Sequence, residues 1–252
     1  MNATKSWRAA EVVTARPIAH RGRHDFGKGI VENTASAFAA AIIGGYPIEC
    51  DLQLTRDGEA VVFHDDHLDR LTEGHGLVKN ISAADMQALT IRNSQDRVQT
   101  LAELLAQVRG QVPLIIELKS NWDGDVRLAE RAIEVLKGYD GPCCLMSFDP
   151  DMIAAVRRLS PATIRGIVAK RCDDPYYGAL PLARQMELRT FSHISRTRPD
   201  FVSFQFEELP WAPITALRSS GVPVISWTIR TPEQAVMARR CSDQITFEGF
   251  PA

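Results

Sequence analysis

Short apolar segments alternate with helical segments along almost the whole chain, and this alternation restricts the fold more than any other feature. The sequence predicts strands near residues 16–20, 46–54, 111–119, 143–148, 163–169, 200–206, 222–229 and 243–249. It predicts helices between them at 32–45, 100–110, 125–137, 150–159, 181–195, 213–221 and 231–241. About eight strands separated by helices are typical of a closed parallel barrel. We therefore predict an α/β fold, a (β/α)8 TIM barrel, with residues 1–252 forming one domain.

Three stretches depart from this alternation. After a turn at 55–58, residues 59–65 are predicted to return as an extended segment. Residues 66–98 are polar and irregular and exceed the length of an ordinary loop, so we predict a small insertion over the strand ends. No helix follows the last strand, and we expect residues 6–15 to cover the side of the barrel left open there.

Composition and charge exclude several classes of protein. The net charge of −2 gives no indication of nucleic-acid binding, and no apolar run is long enough for stable membrane insertion. The N-terminus lacks the apolar core of a secretory signal. Five cysteines without a CxxC pair argue against a disulfide framework, so we expect a reduced, cytoplasmic protein. The oligomeric state is not predicted.

Charged residues cluster where the predicted strands end. Glu49 and Asp51 are two residues apart, and so are Glu117 and Lys119. Because residues i and i+2 of a strand point to the same face, all four side chains can meet at one point. Such a cluster is costly unless it holds a cation or a charged ligand. Three carboxylates suit a hard divalent cation, Ca²⁺ or Mg²⁺.

Cationic and titratable residues surround this predicted metal site. Arg21 and Lys119 would contribute the fork and point charge that phosphate favours. His20 and His64 could divide acid and base work across a reacting phosphorus, since histidine titrates near neutral pH. Together these residues predict an enzyme that hydrolyses a small-molecule phosphodiester with the help of a metal ion.

The chain resembles the glycerophosphodiester phosphodiesterase family over nearly its whole length. The matching segments are HRG (20–22), ENT (32–34), ECDLQLTRDG (49–58), VVFHDDHLDRLT (61–72), TLAELL (100–105), IIELK (115–119), SFDP (147–150) and SWTI (226–229). The resemblance implies hydrolysis of glycerophosphodiesters to an alcohol and glycerol 3-phosphate. It implies the same metal, acid–base and phosphate roles as above, with Trp227 as an apolar wall for the alcohol. We also assign Phe148 to substrate binding.

Alternative functions remain open on sequence alone. The same site could act on lysophospholipids or sugar phosphodiesters. A barrel lyase or aldolase would not need two flanking histidines and Arg21, and a binding protein with a dead site would have lost a catalytic histidine. Glu32 and Asn33 could cap a helix or orient their neighbours.

The chain departs from the family pattern at two places. Arg230 stands where the family often has Asn, and residues 246–251 replace a Thr-Asp-x-Pro pattern. We expect these changes to affect the substrate rim or barrel closure and to leave the phosphodiester chemistry untouched. The other histidines are expected to be solvated or structural; they are His24, His67, His75 and His193.

Overall fold

A computed structural model describes residues 7–173 and 175–252. Its strands are β1 (Ile18–Ala19), β2 (Ile48–Leu54), β3 (Ala60–Val62), β4 (Leu114–Leu118), β5 (Cys143–Ser147), β6 (Arg165–Ala169), β7 (Phe201–Gln205), β8 (Val224–Ile229) and β9 (Gln244–Phe247). Its helices are α1 (Ala9–Val13), α2 (Ala35–Gly44), α3 (Ala83–Ala88), α4 (Leu101–Val108), α5 (Arg127–Leu136), α6 (Pro150–Leu159), α7 (Leu182–Thr190), α8 (Ile194–Thr197), α9 (Ala212–Ser219) and α10 (Pro232–Ala238).

Eight parallel strands close into a barrel. The sheet order is β1-β9-β8-β7-β6-β5-β4-β2, and pairing of β1 with β2 completes the ring. The ninth strand, β3, pairs antiparallel with the last residues of β2, Leu52–Leu54, in a hairpin. The predicted (β/α)8 TIM barrel is thus confirmed, with residues 59–65 contributing the extra strand.

The alternation of side chains along β2 separates the barrel interior from the helix layer. Cys50 and Leu52 are fully buried among apolar side chains of α4 and α5, so they face outward. Glu49 and Asp51 consequently face the interior, as the spacing predicts. Pairing of Asp51 with Glu117 in the β2–β4 ladder brings the third acid to the same level.

Sequence signals at the helix starts explain their positions. Thr34 and Thr100 accept hydrogen bonds from backbone amides of the first turns of α2 and α4. Asp149 does the same for α6, whose first residue is Pro150. Side chains of this kind satisfy amides that have no partner inside the helix, so each βα connection ends at a defined residue.

The stretch 66–98 packs as a small unit with its own buried side chains. It contains the 3-10 helix Val78–Asn80 and α3, and its apolar residues pack against Val61 and Phe63. Leu68 and Met86 are essentially inaccessible to solvent. The stretch is therefore anchored to the hairpin strand β3.

The position of the N-terminal helix corrects one expectation. Residues Val12 and Val13 of α1 are fully buried with inward-facing residues of the barrel, among them Ile115 and Cys144. The helix contacts β4 and β5 and plugs the barrel interior, rather than covering its side next to β9. Within the described part of the chain, no helix has the length and apolarity to cross a membrane.

Candidate active site

One cavity of about 650 Å³ brings together every residue that the sequence predicts for the site. It is lined by residues at the carboxyl ends of barrel strands and in the segments that follow them, where barrels of this class carry their functional residues. Its lining includes His20, Arg21, Glu49, Asp51, His64, Glu117, Lys119, Phe148 and Trp227.

Three carboxylates meet at the floor of this cavity. Oxygens of Glu49, Asp51 and Glu117 lie within 4.8 Å of one another, and all three residues are buried. Burial and the two neighbouring carboxylates raise the pKa of Glu49 well above its usual value. A bound cation would relieve this repulsion, and an all-oxygen, anionic donor set fits Ca²⁺ or Mg²⁺.

Two basic side chains partly neutralise the carboxylates. The Lys119 Nζ lies 2.8 Å from Asp51 Oδ1 and 2.6 Å from Glu117 Oε1. The Arg21 backbone amide donates to Glu49 Oε2 at 2.9 Å, and its side-chain Nε lies 3.4 Å from Asp51 Oδ2. Although burial lowers the pKa of Lys119, attraction to Asp51 and Glu117 outweighs it, so the pKa is raised and the amine stays charged.

The Asn33 side chain fixes the orientation of Asp51. Its Nδ2 donates to Asp51 Oδ2 at 2.8 Å, and its Oδ1 accepts from the Asp51 amide at 3.3 Å. Asn33 itself has a φ of 55°, a left-handed conformation that asparagine tolerates better than most residues. Of the two open readings for this residue, orientation of a neighbour is the one that the contacts support.

His20 is held by a carboxylate that the sequence analysis did not predict. Its Nδ1 lies 2.6 Å from Glu248 Oε2, and Arg230 Nε binds the other oxygen of Glu248 at 2.8 Å. Both departures from the family pattern thus lie beside His20, and the expectation that they leave the phosphodiester chemistry untouched stays a prediction. Burial lowers the pKa of His20, and the hydrogen bond to Glu248 opposes this shift only in part.

His64 has an equivalent arrangement. Its Nδ1 lies 2.7 Å from Asp65 Oδ1, so its Nε2 is left for the cavity. Although burial raises the pKa of Asp65, hydrogen bonds with His64 and Arg70 outweigh it and hold the carboxyl well below its usual range. Both histidines thus have one ring nitrogen engaged by a carboxylate, which fixes tautomer and orientation.

The two histidines follow strands that pair with β2, the strand that carries two of the three acids. His20 directly follows β1, and His64 follows β3. Strand β2, which carries Glu49 and Asp51, pairs with β4 along one edge, and both β1 and β3 pair with its other edge, β1 at Ile48 and β3 at Leu52–Leu54. Gly22 lies in the turn that follows His20. A Cβ atom at this position would lie 2.9 Å from Ala37, so α2 packs closely against the turn.

Aromatic residues form another wall of the cavity. The ring of Phe148 lies 5.6 Å from Trp227 and 5.7 Å from Tyr176, measured between centroids. Trp122 also lines the cavity. The sequence analysis did not assign Tyr176 and Trp122 to the site; Tyr176 lies in a three-residue 3-10 helix and Trp122 in an irregular segment, and neither has a periodic signal.

The remaining histidines have different surroundings. His193 is buried, and burial lowers its pKa to about 4, as expected for a structural residue. His75 is largely exposed. His24, by contrast, is mostly buried, with Nε2 3.5 Å from Glu248 Oε2, and His67 lines the cavity.

Comparison with known proteins identifies the family. The family model described as the Glycerophosphoryl diester phosphodiesterase family matches residues 20–243. The fold and this match place the chain among barrel enzymes that cleave phosphodiesters. It belongs to the glycerophosphoryl diester phosphodiesterase family, and the predicted family and enzyme class are confirmed.

Relatives by sequence agree with this assignment, and solved structures agree with the fold. A glycerophosphodiester phosphodiesterase of Caldanaerobacter subterraneus is 28% identical over 228 residues, covering 86% of each chain. One from Bacillus subtilis is 26% identical over 237 residues, covering 84% of this chain and 75% of the relative. Among solved structures, an Oleispira antarctica phosphodiesterase in complex with sn-glycerol-3-phosphate has a TM-score of 0.78 at 23% identity, covering 94% of each chain. A Thermotoga maritima glycerophosphodiester phosphodiesterase has a TM-score of 0.70 at 23% identity, covering 92% of this chain and 94% of that chain.

Proposed function

We propose that this protein hydrolyses glycerophosphodiesters to an alcohol and glycerol 3-phosphate with a divalent cation and two histidines. The observation that carries the proposal is the union, in one cavity, of a buried acid cluster with two histidines that each have Nδ1 engaged by a carboxylate. Family membership supports the substrate class. We further propose that the chain acts as one domain.

The cation would be held by Glu49, Asp51 and Glu117. Their oxygen donors and excess negative charge fit Ca²⁺ or Mg²⁺. When bound, such an ion polarises a phosphoryl oxygen and offsets its charge. Arg21 and Lys119, which line the same cavity, would hold the other phosphate oxygens.

The histidines would move the protons. In the proposed first step, a free glycerol hydroxyl attacks phosphorus while one histidine accepts its proton. The other histidine protonates the departing alcohol, and a cyclic phosphate is left. Water then opens the ring with the two roles reversed. The first attack is intramolecular, so little entropy is lost in reaching it.

Phe148 and Trp227 would form the wall that contacts the alcohol.

One observation favours lysophospholipids as a second class of substrate. Tyr176 lines the cavity and is 53% exposed, and the following helix exposes Leu182 and Met186. Exposed apolar side chains that follow a lining residue in sequence could contact an acyl chain. Sugar phosphodiesters gain no comparable support.

A product assay tests the proposal. The purified protein is incubated with a panel of glycerophosphodiesters, lysophospholipids and a sugar phosphodiester, and products are identified by mass spectrometry. We expect glycerol 3-phosphate and the free alcohol from the glycerophosphodiesters. Release of glycerol with a phosphorylated alcohol, or no turnover of any member, would overturn the proposal.

We also propose that the protein acts in the cytoplasm. All five cysteines are free, in keeping with a reducing compartment. A small-molecule phosphodiester is the proposed partner.

Replacing Glu248 tests the assignment of His20. We expect Glu248→Gln to lower kcat about tenfold, since outer partners of site residues typically contribute about 10- to 100-fold. Because the Glu248 carboxylate raises the pKa of His20, its loss should move the His20 limb of the pH–rate profile to lower pH. Glu233→Gln, at an exposed position on α10, is the control. If the pH–rate profile of Glu248→Gln is unchanged, Glu248 does not influence the function of His20.

A further inference from the structure

A continuous chain of ion pairs joins two residues of the cavity lining, His64 and Arg21. Arg70, from the stretch 66–98, lies at the centre of this chain. Its Nε and Nη2 donate to the two oxygens of Asp65 at 2.5 and 2.9 Å. Its Nη2 and Nη1 also donate to the two oxygens of Glu32 at 2.7 and 3.1 Å. The guanidinium is therefore shared between two carboxylates, each of them engaged through both of its oxygens.

Glu32 extends the chain to Arg21. Its Oε1 also accepts a hydrogen bond from Arg21 Nη1 at 2.6 Å. Although burial raises the pKa of Glu32, the hydrogen bonds and charges of Arg70 and Arg21 outweigh it, so the pKa is lowered. An ionised carboxylate that is only 6% exposed thus binds two arginines.

The opposite end of the chain is His64. Asp65 Oδ1 is shared between His64 Nδ1 at 2.7 Å and Arg70 Nη2 at 2.9 Å. The position of the imidazole therefore depends on Asp65, and the position of Asp65 depends on Arg70. In this way the ion pairs connect a proposed proton carrier to a proposed phosphate ligand.

The backbone around Arg70 is firmly anchored. Its neighbours Leu68 and Leu71 are buried in the apolar cluster of the 66–98 stretch. The Thr72 hydroxyl donates to the Leu68 carbonyl at 2.9 Å, and the Arg92 amide donates to the Leu71 carbonyl at 2.8 Å. A long side chain fixed at both its root and its tip loses little further entropy when it orders its partners.

We propose that Arg70 and Glu32 are positioning residues that keep His64, through Asp65, and Arg21 in one fixed arrangement around the phosphate. The stretch 66–98 then contributes a positioning residue, Arg70, to the site. This inference rests on the proposed function, because it takes His64 as a proton carrier and Arg21 as a phosphate ligand. Arg70 and Glu32 themselves are assigned no contact with the reacting atoms.

Arg131 provides a matched control. Like Arg70, it lies between two carboxylates, with contacts of 3.1 and 2.8 Å to Glu59 and 2.8 Å to Glu134. It lies on α5, away from the cavity lining. A general effect of removing a shared arginine should therefore appear equally in Arg131→Ala.

The decisive experiment is a double-mutant cycle. We expect Arg70→Ala to lower kcat about 10- to 100-fold with a smaller change in KM, because Glu32 still holds Arg21. In an Asp65→Ala background the same substitution should cost less than about twofold, because its route to His64 is already lost. Glu32→Gln, which also releases Arg21, should raise KM as well as lower kcat. Arg131→Ala should leave both constants near their original values.

Thermal unfolding identifies any variant that is not folded, and Asp65→Asn replaces Asp65→Ala if the alanine variant unfolds. An equal cost of Arg70→Ala in both backgrounds would overturn the proposal, as would an unchanged kcat in Arg70→Ala while His64→Ala is inactive. Full activity of His64→Ala would instead overturn the proposed function, so the two failures are distinguishable.

Discussion

Alanine in place of His20 or His64 is expected to lower kcat for glycerophosphodiester hydrolysis by about 10³-fold in each case. A positioned proton donor or acceptor typically contributes about 10²- to 10⁴-fold, and alanine leaves no group to replace it. Neither ring belongs to the apolar clusters of the barrel, so the fold should be retained. Initial rates at saturating substrate, together with thermal unfolding, provide the measurement.

His75→Ala is the matched control, because its ring is 78% exposed and its Nδ1 also pairs with an aspartate, Asp69. This variant should keep its activity. If His20→Ala and His64→Ala both remain active, the acid–base assignment is wrong, whatever the metal requirement proves to be.

Asp51→Asn is expected to lower the activity by at least about 100-fold and to abolish most of the affinity for the cation. The stabilisation of phosphoryl charge by a metal is worth several kcal/mol, and one decade of rate corresponds to about 1.4 kcal/mol. Asp51 accepts a hydrogen bond from Asn33, and its oxygens lie 3.4 Å from Arg21 Nε and 2.8 Å from Lys119 Nζ. An amide NH₂ at this position would face donors, and Lys119 would lose one of its two carboxylates.

Calorimetric titration with Ca²⁺ and Mg²⁺, run beside the activity assay, separates lost binding from lost folding. Glu59→Gln is the control, since Glu59 also pairs with a basic residue, Arg131, but lies outside the cavity lining. Unchanged cation affinity in Asp51→Asn would show that the ion, if needed, binds elsewhere.

Much of the fold and the acid cluster could be predicted from local patterns. The i, i+2 spacing of Glu49 and Asp51 places both on one face of a strand, and a parallel barrel brings the carboxyl ends of all strands to one end. The same reasoning places Glu117 beside them, where the β2–β4 register puts it. These inferences need only the period of the backbone and the closure of the sheet.

The partners of the site residues could not be predicted in this way. Glu248 lies 228 positions from His20 in sequence, and Arg70 lies 38 positions from Glu32, with no periodicity to connect either pair. Their contacts depend on how barrel closure and the packing of the 66–98 stretch orient side chains. The burial of α1 beneath the barrel likewise depends on the shape of an interior that local sequence does not define.

Exhaustive removal of divalent ions, followed by assay of glycerol 3-phosphate release and then by addition of Ca²⁺ or Mg²⁺, tests most directly whether the three acids support the reaction through a cation. We expect activity to fall by at least about 100-fold and to return on addition of one of the ions. It should not return in Asp51→Asn. Undiminished hydrolysis by the ion-free protein would contradict the assignment of Glu49, Asp51 and Glu117 as ligands of a cation that the reaction requires.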